Sequence, residues 1–449
     1  MTGVALPLMV SEFGLTAAQK GTIGAASLAG ILVGASALGG LADTYGRKRM
    51  FIVEMVLFVI FLVGLTFAQS YLWVVVLLFG IGLALGCDYP TAHLVISESI
   101  PSKDRGKMVL SVFAFQAVGA LVGTAVGYVI LANIPEIGAW RWMYATAIIP
   151  ALLVIIGRFY ITDSGHWLMS RGRVKEAEQE LGRLLAREPA YPKKVRLAEP
   201  DRRASHAGTG GYAELFSGEN RRATILASVP WFLQDLGTYG IGIFTPTILA
   251  LTLGHEIVHP HNVAALISRD IIAAKGAALL DTLLIVGIIA AVLLADRLGR
   301  IRLQILGFIG CAIGLGLAAL SNHVASLHTV LLFGGFMLFN FMTNLGPNAQ
   351  TYLLAGEVFP THIRGKGAGF AASFAKIGAV TTAFLFPVLL KDIGIDALLA
   401  IVVCTSLIGA LVTWMYRIET TGVNLEHIGR VTASASTGAV TGAKPVGAG

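Results

Sequence analysis

Apolar runs of roughly 20 residues recur along this chain from Gly21 to Met415, each long enough as a helix to cross a hydrocarbon core about 30 Å thick. Backbone polar groups inside lipid must be satisfied internally, which leaves helices and closed barrels. The short alternating segments of a barrel are absent, so the pattern predicts an all-α membrane protein. Charged residues make up 13% of the 449, against about 25% in a soluble domain, and a soluble enzyme is excluded. The 53 glycines suit membrane helices that approach closely through small residues. Cys87, Cys311 and Cys404 lie in apolar runs at no metal-like spacing and read as small packing residues.

Complete spans are expected at 20–41, 50–69, 71–97, 106–131 and 140–162, then at 223–251, 275–296, 301–321, 328–355, 364–391 and 393–418. Ahead of them Thr2–Val10 is too short to cross, so the first helix is expected to be incomplete, through a late start codon or a natural truncation. No basic region precedes it, which argues against a secretory signal. Of the 33 Lys and Arg, 27 fall on one side of this topology and five, Lys20, Arg141, Arg269, Lys275 and Lys391, on the other, with Lys376 inside a span. Basic residues stay cytoplasmic, so the expectation is twelve spans of a cell-membrane protein with both ends inside. The net charge of +7 is thereby explained by topology rather than by nucleic acid.

The expected organisation is a transmembrane half over 1–162, a cytoplasmic linker over 163–222 with surface helices near Val174–Ala186, a second half over 223–418, and a disordered tail over 419–449. Two loop types repeat in order between the halves. GGLADTYGRKR (39–49) matches LLADRLGRIR (293–302), and Glu98 with Arg105-Gly106 matches Glu357 with Arg364-Gly365. A duplicated six-helix unit places its substrate near the midplane between halves. The charges Asp43, Arg47, Glu98, Arg105, Asp296, Arg300, Glu357 and Arg364 read as gating salt bridges; the plainer reading is that the basic ones only set orientation.

With these motifs the chain resembles the major facilitator superfamily. DSGHWL (163–168), EVFPTHIRGKG (357–367) and IETTGVNLE (418–426) look like sugar-porter loops, with Gly165-His166 departing from the usual pair. GCDYP (86–90), WFLQDLGTYG (231–240), NLGPNAQTY (344–352) and ASFAKIGA (372–379) together resemble the phosphate:proton symporters. That resemblance implies a phosphate pocket of Tyr89, Gln116, Trp231, Asp235, Tyr239, Asn348 and Lys376, with Asp88 and Glu54 handling protons. It also implies an acidic residue in the first helix, at a position before Met1.

The residues support this chemically. A charge at a span centre costs about 2.5–3.5 kcal/mol on insertion scales and persists mainly where it faces a cavity; Asp88, Asp235 and Lys376 each sit well inside a span. Trp231, Asp235 and Tyr239 are four apart, hence on one helix face. An oxyanion needs donors and a cation, and Lys serves as a point charge for phosphate. A carboxylate beside the anion must be protonated or hydrogen-bonded to it, which makes Asp235 the residue expected to couple cargo to protons. Packing aromatics, interhelical amide bonds, a helix break at Asp88–Pro90 and a structural ion pair for Lys376 are the plainer readings. The expected activity is proton-coupled uptake of inorganic phosphate by a monomer, with a sugar or organic-acid symporter and a non-transporting sensor as rivals. No Gly-rich Lys-Ser loop implies ATP, and no cofactor is expected. Asp281 has no role in this reading. His255, Glu256, His259 and His261 resemble a metal site, but Pro260 breaks any common face, and they read as a solvated loop.

Overall fold

The computed structural model describes residues 2–38, 47–99, 105–161, 168, 172–185, 212–253, 263–360 and 363–421. Among them the chain is helical, with no strand. The first group of helices is α1 (Thr2–Phe13), α2 (Ala17–Val33), α3 (Arg47–Thr66), α4 (Tyr71–Ser99), α5 (Arg105–Asn133) and α6 (Ala139–Phe159). A surface helix, α7 (Val174–Leu185), precedes α8 (Arg221–Leu253), α9 (Val263–Leu298), α10 (Arg300–Leu320), α11 (His328–Leu345), α12 (Pro347–Glu357) and α13 (Arg364–Met415). Among the described residues, eight stretches are long and apolar enough to cross a membrane.

Local chemistry explains the boundaries. α2 opens in a capping box, where the Thr16 hydroxyl accepts from the Gln19 amide at 3.3 Å and the Gln19 side chain accepts from the Thr16 amide at 2.9 Å, satisfying two otherwise orphaned donors. It ends in one π-helical stretch, Gly34–Leu38. The span expected at 328–355 is in fact two helices. Gly346 leaves helical geometry (φ −110°, ψ −100°) and Pro347 starts the second, where its missing N–H costs nothing. α13 likewise turns a corner at Gly394, with φ +78°, a conformation that favours glycine. α9 starts twelve residues ahead of the expected 275, at Val263. α1 has 12 residues, about 18 Å of helix, so it stays shorter than a bilayer core. Setting aside the surface helix α7, and counting α11 with α12 as one and α13 as two, gives twelve helices among the described residues.

Two glycine pairs bring α2 and α4 backbone to backbone. Gly30 and Gly34 face Gly82 and Gly86, and a Cβ on Gly82 would lie 1.9 Å from the Ser27 carbonyl oxygen. This is small-residue packing, in which van der Waals contact replaces the hydrophobic drive that lipid removes. Between the two groups of helices, α2 runs along α13 and α5 along α9. The same arrangement thus appears twice, as a duplicated unit requires. α7 is a polar surface helix with side-chain pairs Arg173–Glu176 and Arg183–Glu180.

Candidate functional site

α8 and α13 carry a buried ion pair. Asp235 is 1% exposed and Lys376 4%, and the Lys376 ammonium donates to Asp235 Oδ2 at 2.8 Å and to the Tyr239 hydroxyl at 3.1 Å. The ammonium also lies 4.6 Å from the centre of the Tyr239 ring. The four-residue spacing therefore does what helix geometry demands, turning Asp235 and Tyr239 to the same neighbour. Trp231, one turn nearer the linker, is buried and meets Tyr352 of α12 edge-on, ring centres 6.1 Å apart at 88°. Tyr352 in turn stacks on Phe113 of α5 at 4.9 Å. That aromatic chain joins the second group of helices to the first.

A second polar strand runs beside the ion pair. Gln234 donates to Thr238 Oγ1 at 2.7 Å and to Asn348 Oδ1 at 3.2 Å, and Asn348 donates to Asn344 Oδ1 at 2.6 Å. Asn344 and Asn340 donate to the carbonyls of Leu284 and Leu280 on α9, at 2.9 and 3.0 Å. The break at Gly346 is thus straddled by amides, which suit a site that must offer neutral hydrogen bonds near a charge. Gln116 sits on α5 one turn beyond Phe113 and is exposed; it makes no contact with the ion pair. The side chain of Tyr89 lies outside the described residues.

Two further carboxylates, Asp88 and Asp281, meet partners from other helices. Asp88 on α4 is met by Arg158 of α6, Nη1 lying 2.7 Å from Oδ1 and Nη2 donating to Oδ2 at 3.0 Å. Glu54 of α3 is buried, 2% exposed. Asp281, left without a role by its sequence, accepts from Thr124 of α5 at 2.8 Å and so ties the two groups of helices together. Ser36 donates to Ser373 at 3.1 Å in the other seam, between α2 and α13. Thr124→Val should cost about 0.6 kcal/mol of stability, the average for an interhelical hydrogen bond in a membrane, seen as a lower thermal midpoint in scanning fluorimetry of the solubilised protein.

At the linker end, Arg300 pairs with Asp296 at 2.9 Å and with Glu357 at 3.3 Å. The Thr420 hydroxyl donates to Glu357, and the Glu419 carboxylate accepts from the amides of Arg300 and Ile301 at 3.1 and 3.2 Å. Gly299 has φ +90°, and a Cβ there would come within 2.7 Å of Glu419. Arg364 donates to the Phe359 carbonyl at 3.2 Å. Of the matching set in the first half, Asp43 and the side chains of Arg47, Glu98 and Arg105 lie outside the described residues, as does the histidine segment 254–262.

Sequence reasoning passed over Gln234, Thr238, Asn344, Tyr352 and Arg158. Gln234, Thr238, Asn344 and Tyr352 sit inside the motifs at 231–240 and 344–352, where polarity within an apolar run was the signal. Arg158 is one of the 27 basic residues that the distribution of charge places on the cytoplasmic side.

A family model described as "Sugar (and other) transporter" matches residues 8–432. The chain is 29% identical to the inner membrane metabolite transport protein YgcS of Escherichia coli (strain K12), covering 96% of this chain and 89% of the relative. It is 27% identical to the niacin transporter NiaP of Acinetobacter baylyi, covering 94% and 90%. It is also 27% identical to "Probable inorganic phosphate transporter 1-12" of Oryza sativa subsp. japonica, covering 90% and 81%. Its backbone superposes on the proton:xylose symporter XylE bound to 6-bromo-6-deoxy-D-glucose with a TM-score of 0.74 at 20% identity, covering 96% of each chain.

Proposed function

Because the chain belongs to the sugar (and other) transporter family, within the major facilitator superfamily, we propose that it carries a small oxyanion across the membrane together with protons, by alternating access. The observation that carries the reading is the Lys376–Asp235 pair, a buried cation held between α8 and α13 and backed by the Tyr239 hydroxyl. A neutral sugar has no use for an ammonium in that position, whereas phosphate or a carboxylate metabolite does. The rice relative is named for inorganic phosphate and the Acinetobacter one for niacin, itself a carboxylate. Both names support an anion more than they support a choice between the two, and inorganic phosphate is the narrower form of the proposal.

In the state described, Asp235 occupies the place an anion would take. An incoming oxyanion therefore reaches Lys376 only as Asp235 yields it, and a proton on Asp235 makes that exchange charge-neutral: the ammonium keeps one anionic partner throughout. Tyr239 and Trp231 offer donors to the same cargo, and the Gln234–Asn348–Asn344 strand offers amides to whatever uncharged part the cargo carries. Asp88 and Glu54 are the further carboxyl groups available to carry protons, and the Arg300 network with Asp296 and Glu357 closes the linker end, the cytoplasmic side by the distribution of basic residues.

The test is uptake into proteoliposomes under an inward proton gradient, with labelled phosphate, nicotinate and xylose in parallel. Accumulation of phosphate or nicotinate, abolished by a protonophore and indifferent to excess xylose, is the expected result. Xylose accumulation with neither anion competing would overturn the anion reading. Specific binding of an anion with no flux would favour the sensor.

A further inference from the structure

The seam between α5 and α9 carries a carboxyl group that the proposed cargo site does not use. Asp281 of α9 accepts a hydrogen bond from the Thr124 hydroxyl of α5 at 2.8 Å, across the two groups of helices. Its span covers Asp270–Leu298, so Asp281 lies three residues short of the middle at Leu284, about 5 Å along a helix. A charged group at that depth faces a cavity between helices rather than lipid. Thr124 is buried, and on the same two faces Ala117, Leu131, Ala277 and Ile288 are buried and apolar. Joining the halves does not require an acid here, because the α2–α13 seam is tied by two neutral hydroxyls, Ser36 and Ser373, at 3.1 Å. An ionised carboxylate held by one neutral donor in apolar surroundings is costly, and a proton removes that cost.

We propose that Asp281 is a further proton-coupling residue, which holds a proton while the α5–α9 seam is shut and exchanges it with water when the halves part. This rests on the proton-coupled reading above and adds a carrier in the seam itself, away from the cargo. Rocking of one half against the other separates α5 from α9, so the motion that exposes the cargo also gates the proton. In each cycle one carboxyl O–H bond on Asp281 forms from water on one side and breaks to water on the other, and no electrons move. Thr124 is a positioning residue; it donates to the carboxyl and carries no proton itself.

The titratable groups on the helices around α9 leave Asp281 this role. On α5, Tyr128 follows Thr124 by one turn and Lys107 stands at the inner end. On α8, Asp235 and Tyr239 are held by Lys376. On α11, His328 stands at the outer start, its Nδ1 3.0 Å from the Ser321 carbonyl. On α10 and α12, Arg300 pairs with Glu357, Cys311 meets Thr343, Tyr352 stacks on Phe113, and Arg302 lies at the inner end. Glu12 of α1 is paired with Arg141, and the amino group ahead of α1 acts on Asp281 as a charge. On α9 itself Asp270 and Lys275 lie toward the outer end, Asp296 and Arg297 toward the inner one.

The experiment uses the full chain in proteoliposomes with the membrane potential clamped at zero, and reads the accumulation ratio of labelled phosphate or nicotinate against the pH gradient. Each proton carried multiplies that ratio by about ten per pH unit. Asp281→Asn, which imitates the protonated acid at the same size, should lose one such factor, and Asp281→Glu should keep it. Thr124→Val, which removes the tie and keeps the acid, should reach an undiminished ratio at an altered rate. A role confined to tying the halves predicts instead that Asp281→Asn and Thr124→Val behave alike. A second measurement needs no variant to fold. Dicyclohexylcarbodiimide, which attacks protonated carboxyl groups in apolar surroundings, should add to Asp281 in the unsubstituted protein, seen by peptide mass, with a yield that falls as pH rises. An undiminished ratio in Asp281→Asn, or an Asp281 left unmodified, overturns the proposal. A ratio that ignores the pH gradient already in the unsubstituted protein overturns the proton-coupled reading beneath it, so the two failures are told apart by which protein shows them.

Discussion

Lys376→Met should abolish anion uptake and destabilise the protein by about 3–5 kcal/mol, the cost of removing one partner from a buried ion pair. The size follows from where the ammonium sits. It donates to Asp235 at 2.8 Å, with the two side chains 5% and 2% exposed, so the aspartate left behind has little water to turn to. Asp235 then becomes protonated or pulls water into the bundle, and the thermal midpoint in detergent falls either way. The second variant separates folding from function. Asp235→Asn/Lys376→Met replaces the pair by neutral groups of similar size, and such replacements of buried pairs are often near neutral in stability. The double variant should therefore recover most of the lost midpoint while uptake of phosphate and nicotinate stays at background. Undiminished anion uptake by the double variant would remove Lys376 from the site and the oxyanion reading with it.

How far this could be read from the chain depends on whether a residue's constraint is local. The positions of the spans are local, since bilayer thickness and residue hydropathy decide them, and the charged loops between them are visible one at a time. The juxtaposition of Asp235 with Lys376 is nearly so: two isolated opposite charges in apolar helices have few other ways to satisfy themselves. Their use as a cargo site is not given by that pairing and remains the proposal. Residues whose meaning is set by a distant partner were harder. Arg158 looks like any basic residue near a span end until α6 brings it to Asp88, 70 residues earlier. Asn344 looks like an amide at a helix end until its donor to Leu284 on α9 shows it pinning the far side of the Gly346 break. The break itself was announced by Gly346-Pro347, but a proline in a membrane helix is compatible with an unbroken span as well. Asp281 had a legible burden, a carboxylate in apolar surroundings, and an illegible solution, a hydroxyl from the opposite half.

Gly82→Leu should be the most damaging single change away from the charges, preventing α2 and α4 from assembling at a cost of about 4 kcal/mol or more, the range reserved for severe overpacking. The contact leaves no room to adapt. A Cβ at position 82 meets backbone on α2, 1.9 Å from the Ser27 oxygen and 2.7 Å from its carbonyl carbon, and Gly30, Gly34 and Gly86 abut opposing backbone at 2.1 to 2.4 Å in the same sense. A flexible side chain could rotate away; a helix backbone must translate. Shifting α4 also moves Asp88, six residues on, away from the Arg158 that α6 holds against Phe51, so packing loss and an unpaired buried charge arrive together. Shifting α2 disturbs its seam with α13, which carries Lys376. The control is Gly119→Leu on α5, where a Cβ meets nothing within 4 Å and the added side chain should be accepted with little change. The comparison is read by monodispersity on size exclusion and by the thermal midpoint in detergent. Equal midpoints for the two variants would show that the glycine seam contributes little to the assembly of the first half.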